Sequence, residues 1–266
     1  MRLEFHKGLS VRTSKTLAKL RAGKPVRMCS LGNFLPAYVR HAAEHRFDCI
    51  WLDLEHRVMD DRQVQALLAF FHLSDIDCML RAPTLEKTRL YRYLEDGASG
   101  LMIPHVSTPE RARELVQAVK FPPIGDRGID GSGLDSDFMF AGGEGYTDAA
   151  NRETFLVVQI ETPQAVENVD AIAAVEGVDG MFIGPGDLGL RIEKLGCDFT
   201  LEEAYAKVAE AAKRHGIAWG APGINVEGVR KLHGQGAQLI AHGGDFWAMA
   251  DMLKTKSAEL DEIYGE

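Results

Sequence analysis

The feature that most constrains this chain is a rhythm: a short apolar run, then a stretch with helical periodicity, over and over. The apolar runs fall at Val26 to Gly32, Phe47 to Asp53, Asp77 to Arg81, Gly100 to Val106, Phe155 to Glu161, Gly180 to Gly184, Ala218 to Pro222 and Ala237 to His242. Each is followed by a segment whose apolar residues recur at helical spacing, and a further amphipathic stretch, about Thr13 to Ala22, precedes the first. Strictly alternating strands and helices demand a parallel sheet covered by helices, because a parallel pair needs a crossover long enough to hold a helix. Eight such units predict an α/β fold, a (β/α)8 TIM barrel with an N-terminal helix. A doubly wound open sheet is the alternative, but the Gly-rich dinucleotide turn is missing after the first strand.

The length supports one unit. A chain of 266 residues is the size of a single barrel of roughly 250 residues, so the whole of 1–266 reads as one domain. With 45% hydrophobic and 26% charged residues the chain has enough apolar material for a large core, which excludes disordered and fibrous classes. Charge excludes a further class. Thirty Lys and Arg against 39 Asp and Glu give −9, and no basic run offers a footprint for a phosphate backbone, so nucleic acid is not an expected partner. The first residues lack an uninterrupted apolar segment, and nowhere do about 18 apolar residues run together. The expectation is a cytoplasmic enzyme with no membrane partner. Cys29, Cys49, Cys78 and Cys197 show no CxxC spacing and read as reduced, mostly buried thiols.

One segment breaks the rhythm. Residues 120–154 lie between the fourth helix and the fifth strand without strong periodicity, and a long irregular segment in a compact domain is commonly functional or interface-forming. A lid or a subunit contact is expected there; a solvent loop is the alternative.

In barrels of this kind the reacting groups project from the C-terminal ends of the strands. Polar residues cluster at those ends: Asp53, Glu55 and His56 after strand two, Arg81 after strand three, His105 after strand four, Gln159 and Glu161 at strand five, Asp187 after strand six. Side chains alternate along a strand, so Trp51, Asp53 and Glu55 share one face, as do Met79 and Arg81, and Gln159 and Glu161. If that face is the barrel interior, the polar groups converge. Glu161 and Asp187 then come from adjacent strands, and two carboxylates at one rim suit a hard divalent cation that keeps positions open for substrate. Structural alternatives stand beside each assignment: Asp187 as a helix cap, His56 as a loop histidine, Arg81 as an internal ion pair.

At these residues the sequence resembles a known family, the metal-dependent pyruvate aldolases of the HpcH/HpaI type, relatives of the 4-hydroxy-2-oxoheptanedioate and 2-keto-3-deoxy-glucarate aldolases. The carriers are Asp53-Leu-Glu-His56, Leu80-Arg-Ala-Pro83, Ile103-Pro104, Pro122-Pro-Ile-Gly-Asp-Arg-Gly128, Val158-Gln-Ile-Glu-Thr162, Phe182-Ile-Gly-Pro-Gly-Asp-Leu188 and Ala221-Pro-Gly223. Each is weak alone; in this order they are specific. The resemblance implies cleavage of a 4-hydroxy-2-oxo acid to pyruvate and an aldehyde, with Mg²⁺, Mn²⁺ or Co²⁺ held by Glu161 and Asp187. It implies that Arg81 and Gln159 line the pyruvate site, that the backbone N–H groups of Gly186 and Asp187 receive the carboxylate, and that Asp53 and His56 form the acid/base pair. Arg127 would reach an active site from the long segment, within the chain or across an interface. A C-terminal helix exchanged with a neighbour, in a homo-oligomer that is usually a hexamer, is implied as well.

Elementary chemistry agrees with these roles. A Lewis acid on a 2-oxo acid stabilises the enolate left by proton removal or aldol cleavage, and Arg81 would add positive charge where oxygen becomes anionic. Histidine titrates nearest neutrality, and Asp53, three positions before His56, could hold its tautomer. No strand end carries the lysine that a Schiff-base route needs. Two departures bear on the aldehyde: Gly189 stands where relatives often carry Ser, and the stretch after Gly128, Asp130 to Asp137, is acidic. With Asn225 after Ala-Pro-Gly-Ile, the expected acceptor is polar and hydroxylated. The alternatives are oxaloacetate decarboxylation, a citrate-lyase-like cleavage of a CoA ester, for which no basic stripe is found, and a non-enzymatic binding barrel, which would not need the whole set.

Overall fold

The computed structural model describes residues 11–265; the first ten residues, which the sequence reading took to lack an apolar leader, lie outside the described residues. Eight parallel strands, each paired with the next and the eighth with the first, close into a barrel. They are β1 (Val26–Leu31), β2 (Cys49–Asp53), β3 (Asp77–Arg81), β4 (Gly100–Ile103), β5 (Phe155–Ile160), β6 (Gly180–Ile183), β7 (Ala218–Pro222) and β8 (Leu239–Gly244). Six of the eight expected runs shrink, grow or shift by one to three residues at an end, and β4 shows why: Pro104 has no N–H for a ladder and His105 turns left-handed, φ 56°, so the strand stops at Ile103.

Register decides what faces inward. Cys49, Trp51 and Asp53 of β2 lie opposite Asp77, Met79 and Arg81 of β3, and Gln159 of β5 lies opposite Phe182 of β6. The middle of the barrel is apolar, filled by Met28, Cys49, Met79, Met102, Phe155, Val157, Phe182 and Leu239. The opposite faces of the strands join the helices in a larger core that includes Leu31, Ile50, Leu52, Leu80, Leu101, Val158 and Ile183. Near-continuous burial along β3 and β5 is what a sheet covered on one side by helices and on the other by its own interior requires.

The lead-in helix, Lys15–Arg21, is capped by Ser14, whose Oγ accepts from the Leu17 N–H at 3.1 Å. Leu17 and Leu20 pack on Val26 and Met28, so this helix plugs the N-terminal mouth of the barrel. The segment 120–154 is a helix-to-strand connection, between the helix Pro109–Val119 and β5, and therefore lies at that same N-terminal end. It is not structureless: it holds a short 3₁₀ turn, Leu134–Ser136, and a helix, Tyr146–Glu153. A lid over the site of its own barrel is thereby ruled out, because strand polarity puts the two at opposite ends. At the other terminus the helix Asp245–Tyr264 leaves the barrel after β8, and of its twenty residues only Asp245 is buried. Among the described residues no helix is long and apolar enough to cross a membrane, and all four cysteines are free, Cys29, Cys49 and Cys78 buried and Cys197 half-buried.

Candidate active site

At the C-terminal rim the inward-facing positions change from apolar to charged. Arg81, the last residue of β3, lies across from Asp53, the last of β2, and the two form a bidentate pair: Nε donates to Oδ1 at 2.9 Å and Nη2 lies 2.8 Å from Oδ2. Nη1 lies 2.9 Å from Oε2 of Glu55, and the guanidinium sits over the Trp51 ring, 4.6 Å from its centroid. Of its five N–H groups, those three contacts leave two for a substrate oxygen. Burial by itself would raise the Asp53 carboxyl, but the hydrogen bond and charge of Arg81, with the backbone N–H groups of His56 and Glu55, bring it below the ordinary carboxylate range.

Glu161, one residue past β5, is almost wholly buried. Its Oε1 accepts from the backbone N–H of His105 at 2.7 Å, and the His105 Nδ1 lies 3.1 Å away. The His105 Nε2 lies 3.5 Å from Oε1 of Glu55. Glu55, His105 and Glu161 thus offer donor atoms all within 4.8 Å of one another. Burial raises the Glu161 carboxyl above its ordinary value; the His105 N–H and ring work against this, while the charges of Glu55 and Asp187 add to it. Gly184 makes room for this carboxylate: a Cβ there would stand 2.3 Å from Glu161 Oε2. Gln159, 1% exposed, leaves its Oε1 without a partner at the same mouth.

The donor set fits a divalent cation. Two carboxylates and an imidazole converge, Asp187 adds its field to Glu161, and Arg81 with its two carboxylate partners does not neutralise the total. Such an excess of negative charge in a partly buried mouth is relieved by a cation.

Other expected residues are placed differently. Asp187 stands in the first turn of the helix Pro185–Leu195, on whose N-terminus the Gly186 and Asp187 N–H groups point outward without helical partners. Its carboxylate is 42% exposed and pairs with Arg191 at 2.7 Å, so this structure does not bring it into the Glu55–His105–Glu161 group. His56 is half-exposed at the cleft. Its backbone N–H, not its ring, meets Asp53, at 3.4 Å, and the carboxylate nearest its ring is Glu55, 3.6 Å from Nε2. Asp53 therefore grips the loop and Arg81 and does not hold the imidazole.

Arg127 is not at this rim within the chain. Its side chain is 1% exposed at the N-terminal end, paired with Asp135 at 2.7 Å and stacked over Phe121 at 4.4 Å. Asn225 caps the helix Val226–Gly234, accepting from the Gly228 N–H at 2.8 Å, and lines a cavity other than the cleft beside the rim. Glu55 and His105 are the residues sequence reasoning left without a role, although strand alternation had already put Glu55 beside Asp53 and His105 stood at a strand end.

Beside the charged rim opens a cleft of about 1020 Å³ lined by Trp51, Asp53, His56, Arg57, Arg81, His242, Asp245, Phe246 and Trp247. Asp245 holds its wall in place by accepting from the N–H groups of Gly32 and Asn33 at 3.1 and 3.0 Å.

Comparison with known proteins places the chain in a family. Residues 28–251 match the HpcH/HpaI aldolase/citrate lyase family. The chain belongs to that family. It is 34% identical to a hydroxypyruvate/pyruvate aldolase of Deinococcus radiodurans over 91% of this chain and 88% of the relative. A 5-keto-4-deoxy-D-glucarate aldolase of Klebsiella pneumoniae is 33% identical over 82% of this chain and 84% of its own. Among solved structures, an HpcH/HpaI aldolase from Desulfitobacterium hafniense superposes with a TM-score of 0.84 at 32% identity, covering 92% of this chain and 96% of its own. This family member is a carbon–carbon lyase of the metal-dependent aldolase class.

Proposed function

We propose that the rim cleaves a 4-hydroxy-2-oxo acid reversibly to pyruvate, or a close analogue, and a polar, hydroxylated aldehyde. The observation that carries this is the meeting of buried Glu161 with Glu55 and His105 beside an Arg81 that keeps two N–H groups for substrate. Glu161 would hold Mg²⁺, Mn²⁺ or Co²⁺ together with Asp187, whose carboxylate would exchange Arg191 for the ion. When bound, the divalent ion supplies Lewis acidity that favours the enolate over the keto acid.

The rest falls to the chain. Gly186 and Asp187 N–H groups, at a helix N-terminus, receive the carboxylate of the 2-oxo acid. The Gln159 amide, buried at the same mouth, orients it by donating from its nitrogen, and Arg81 faces the oxygen that becomes anionic. Its position is preset by Asp53, Glu55 and Trp51, so little reorganisation accompanies the charge change. His56 stands where the acceptor hydroxyl must lie, at the junction of rim and cleft, and moves its proton. Decarboxylation needs no acceptor volume, and the cleft supplies it, with Ser30, Arg57 and His242 as polar walls.

Large apolar side chains stand in the open along the last helix, including Trp247, Met249, Met252, Leu253 and Ile263. Apolar surface of this extent is covered in solution, and a second copy of the chain in a homo-oligomer, a hexamer with exchanged helices, is the assembly that would cover it. Across such an interface Arg127 could serve a neighbour. The site itself is tested by proton–deuterium exchange at the pyruvate methyl, with and without chelator: exchange that chelator stops supports the assignment, and no exchange in Mn²⁺ removes it.

A further inference from the structure

Building on the metal-centre reading above, we propose that His105 is a nitrogen ligand of the divalent cation and shifts the site's preference from Mg²⁺ towards Mn²⁺, Co²⁺ and Zn²⁺. Three elements bring the donors together. Glu55 follows β2, His105 follows β4 and Glu161 follows β5, so no local turn forces them into contact. The His105 main chain is pinned to Glu161 by its own N–H at 2.7 Å, and the imidazole stands beside that carboxylate, Nδ1 3.1 Å from Oε1.

The three side chains lie close enough to share one ion, with donor atoms within 4.8 Å of one another. Donors about 2.1 Å from a shared cation lie roughly 3.0 Å apart at right angles and about 3.4 Å apart at tetrahedral angles. Nδ1 stands 3.1 Å from Glu161, within that range; Nε2, 3.5 Å from Glu55, is the ring's other nitrogen, and only one of the two can bind the ion. A further observation points to a ligand here: the Gln159 side chain, 1% exposed, has an oxygen without a partner, and its amide nitrogen and Glu161 Oε2 flank the same glycine, Gly184. A buried acceptor left bare beside a carboxylate is a place where something binds. The identity of the donors then sets the choice of ion. Carboxylates alone suit Mg²⁺, whereas imidazole adds most for the later first-row divalent ions.

The competing role for His105 is that of a counter-ion that gives way when a cation enters. Pulsed electron paramagnetic resonance of the Mn²⁺-loaded protein separates the two, because only a coordinated imidazole gives strong ¹⁴N modulation. His105→Asn is the variant of choice: asparagine tolerates the left-handed backbone that His105 adopts, and circular dichroism checks its fold. The expected result is ¹⁴N coupling in the wild type, its loss in His105→Asn but not in His56→Gln, and a fall of tenfold or more in the ratio of Co²⁺ to Mg²⁺ affinity by titration calorimetry. Mn²⁺ binding without ¹⁴N coupling, or a selectivity ratio unchanged in His105→Asn, overturns the role of His105 while leaving the metal centre standing. Failure of the wild type to bind either Mn²⁺ or Co²⁺ overturns the metal centre and this inference with it.

Discussion

Strand β3 carries a charge at each end, and the two ends of the barrel use them differently. Asp77, at its start, is wholly buried. Its Oδ1 takes Arg12 at 2.6 Å, and its Oδ2 takes the Ser14 hydroxyl and the Thr16 N–H at 2.7 Å each. Arg81, four residues on and facing the same interior, also meets carboxylates, yet around it the Trp51 indole nitrogen and the Gln159 oxygen have no partners. Both networks are buried ion pairs and would count alike in a tally. What separates them is setting: the Asp77 carboxylate takes three donors of the chain beneath the lead-in helix, although Arg12 Nε and Thr16 Oγ1 beside it lack partners, while the Arg81 network borders a cleft. A network beneath a helix holds that helix on the barrel; one that borders a cleft can meet a ligand.

That contrast predicts a double dissociation, and it is the largest effect expected. Arg81→Lys keeps the charge but loses the fork that grips Asp53 and faces the substrate, so kcat/KM for aldol cleavage should fall about 10²–10³-fold with little change in thermal stability. Asp77→Ala leaves Arg12 and Ser14 without their acceptor and should cost about 3–5 kcal/mol of stability. Activity per folded molecule should stay near wild type. Denaturant melts and steady-state rates on both variants check this, and a stable but inactive Asp77→Ala protein would break the comparison.

Smaller effects sharpen it. Gly184→Ala places a methyl 2.3 Å from Glu161 Oε2, so the carboxylate must turn away, and Mn²⁺ affinity by calorimetry should fall about 10–100-fold without loss of fold. Arg127→Met tests the N-terminal end from the other side. Its guanidinium is buried against Asp135 and Phe121, so stability should fall by an amount on the order of 3 kcal/mol. Activity should change only if the assembled oligomer places Arg127 in a neighbour's cleft, which the ratio of kcat to KM effects in stable oligomer would reveal.

The barrel was legible because each strand is a contiguous apolar run and its period is short; β3 and β7 fall where the sequence alone puts them. Alternation also placed Asp53, Arg81, Gln159 and Glu161 on the inner face, since that rule needs only a residue's parity in its strand. It could not reach Arg127, whose place depends on a 35-residue connection between a helix and a strand. The polarity of that connection was nevertheless readable: a helix-to-strand link must lie at the N-terminal end. His56 and Asp53 show a different limit. Spacing three residues apart is compatible with a side-chain pair, but the tight turn after β2 instead directs the His56 backbone N–H at Asp53. Asn225 shows the same, since a residue that begins a helix is as readily its cap as a substrate contact.

The smallest expected effect lies between the two ends. Cys49 faces the interior beside Asp77, and the apolar middle of the barrel separates that carboxylate from the charged rim. Burial first, and then the charge of Asp77, push the Cys49 thiol well above its ordinary 9.0. A thiol raised in the folded state and ordinary in the unfolded one stabilises the fold fully below that ordinary value of 9.0, and that contribution is lost as pH rises towards the folded value. Thermal melts should therefore fall more steeply above pH 9 in the wild type than in Cys49→Ala, and thiol reagents should modify the half-buried Cys197 long before Cys49 in the native protein. If Cys49 reacts as fast as Cys197, water reaches the middle of the barrel, and the two ends are not the separate environments that the dissociation between Arg81 and Asp77 assumes.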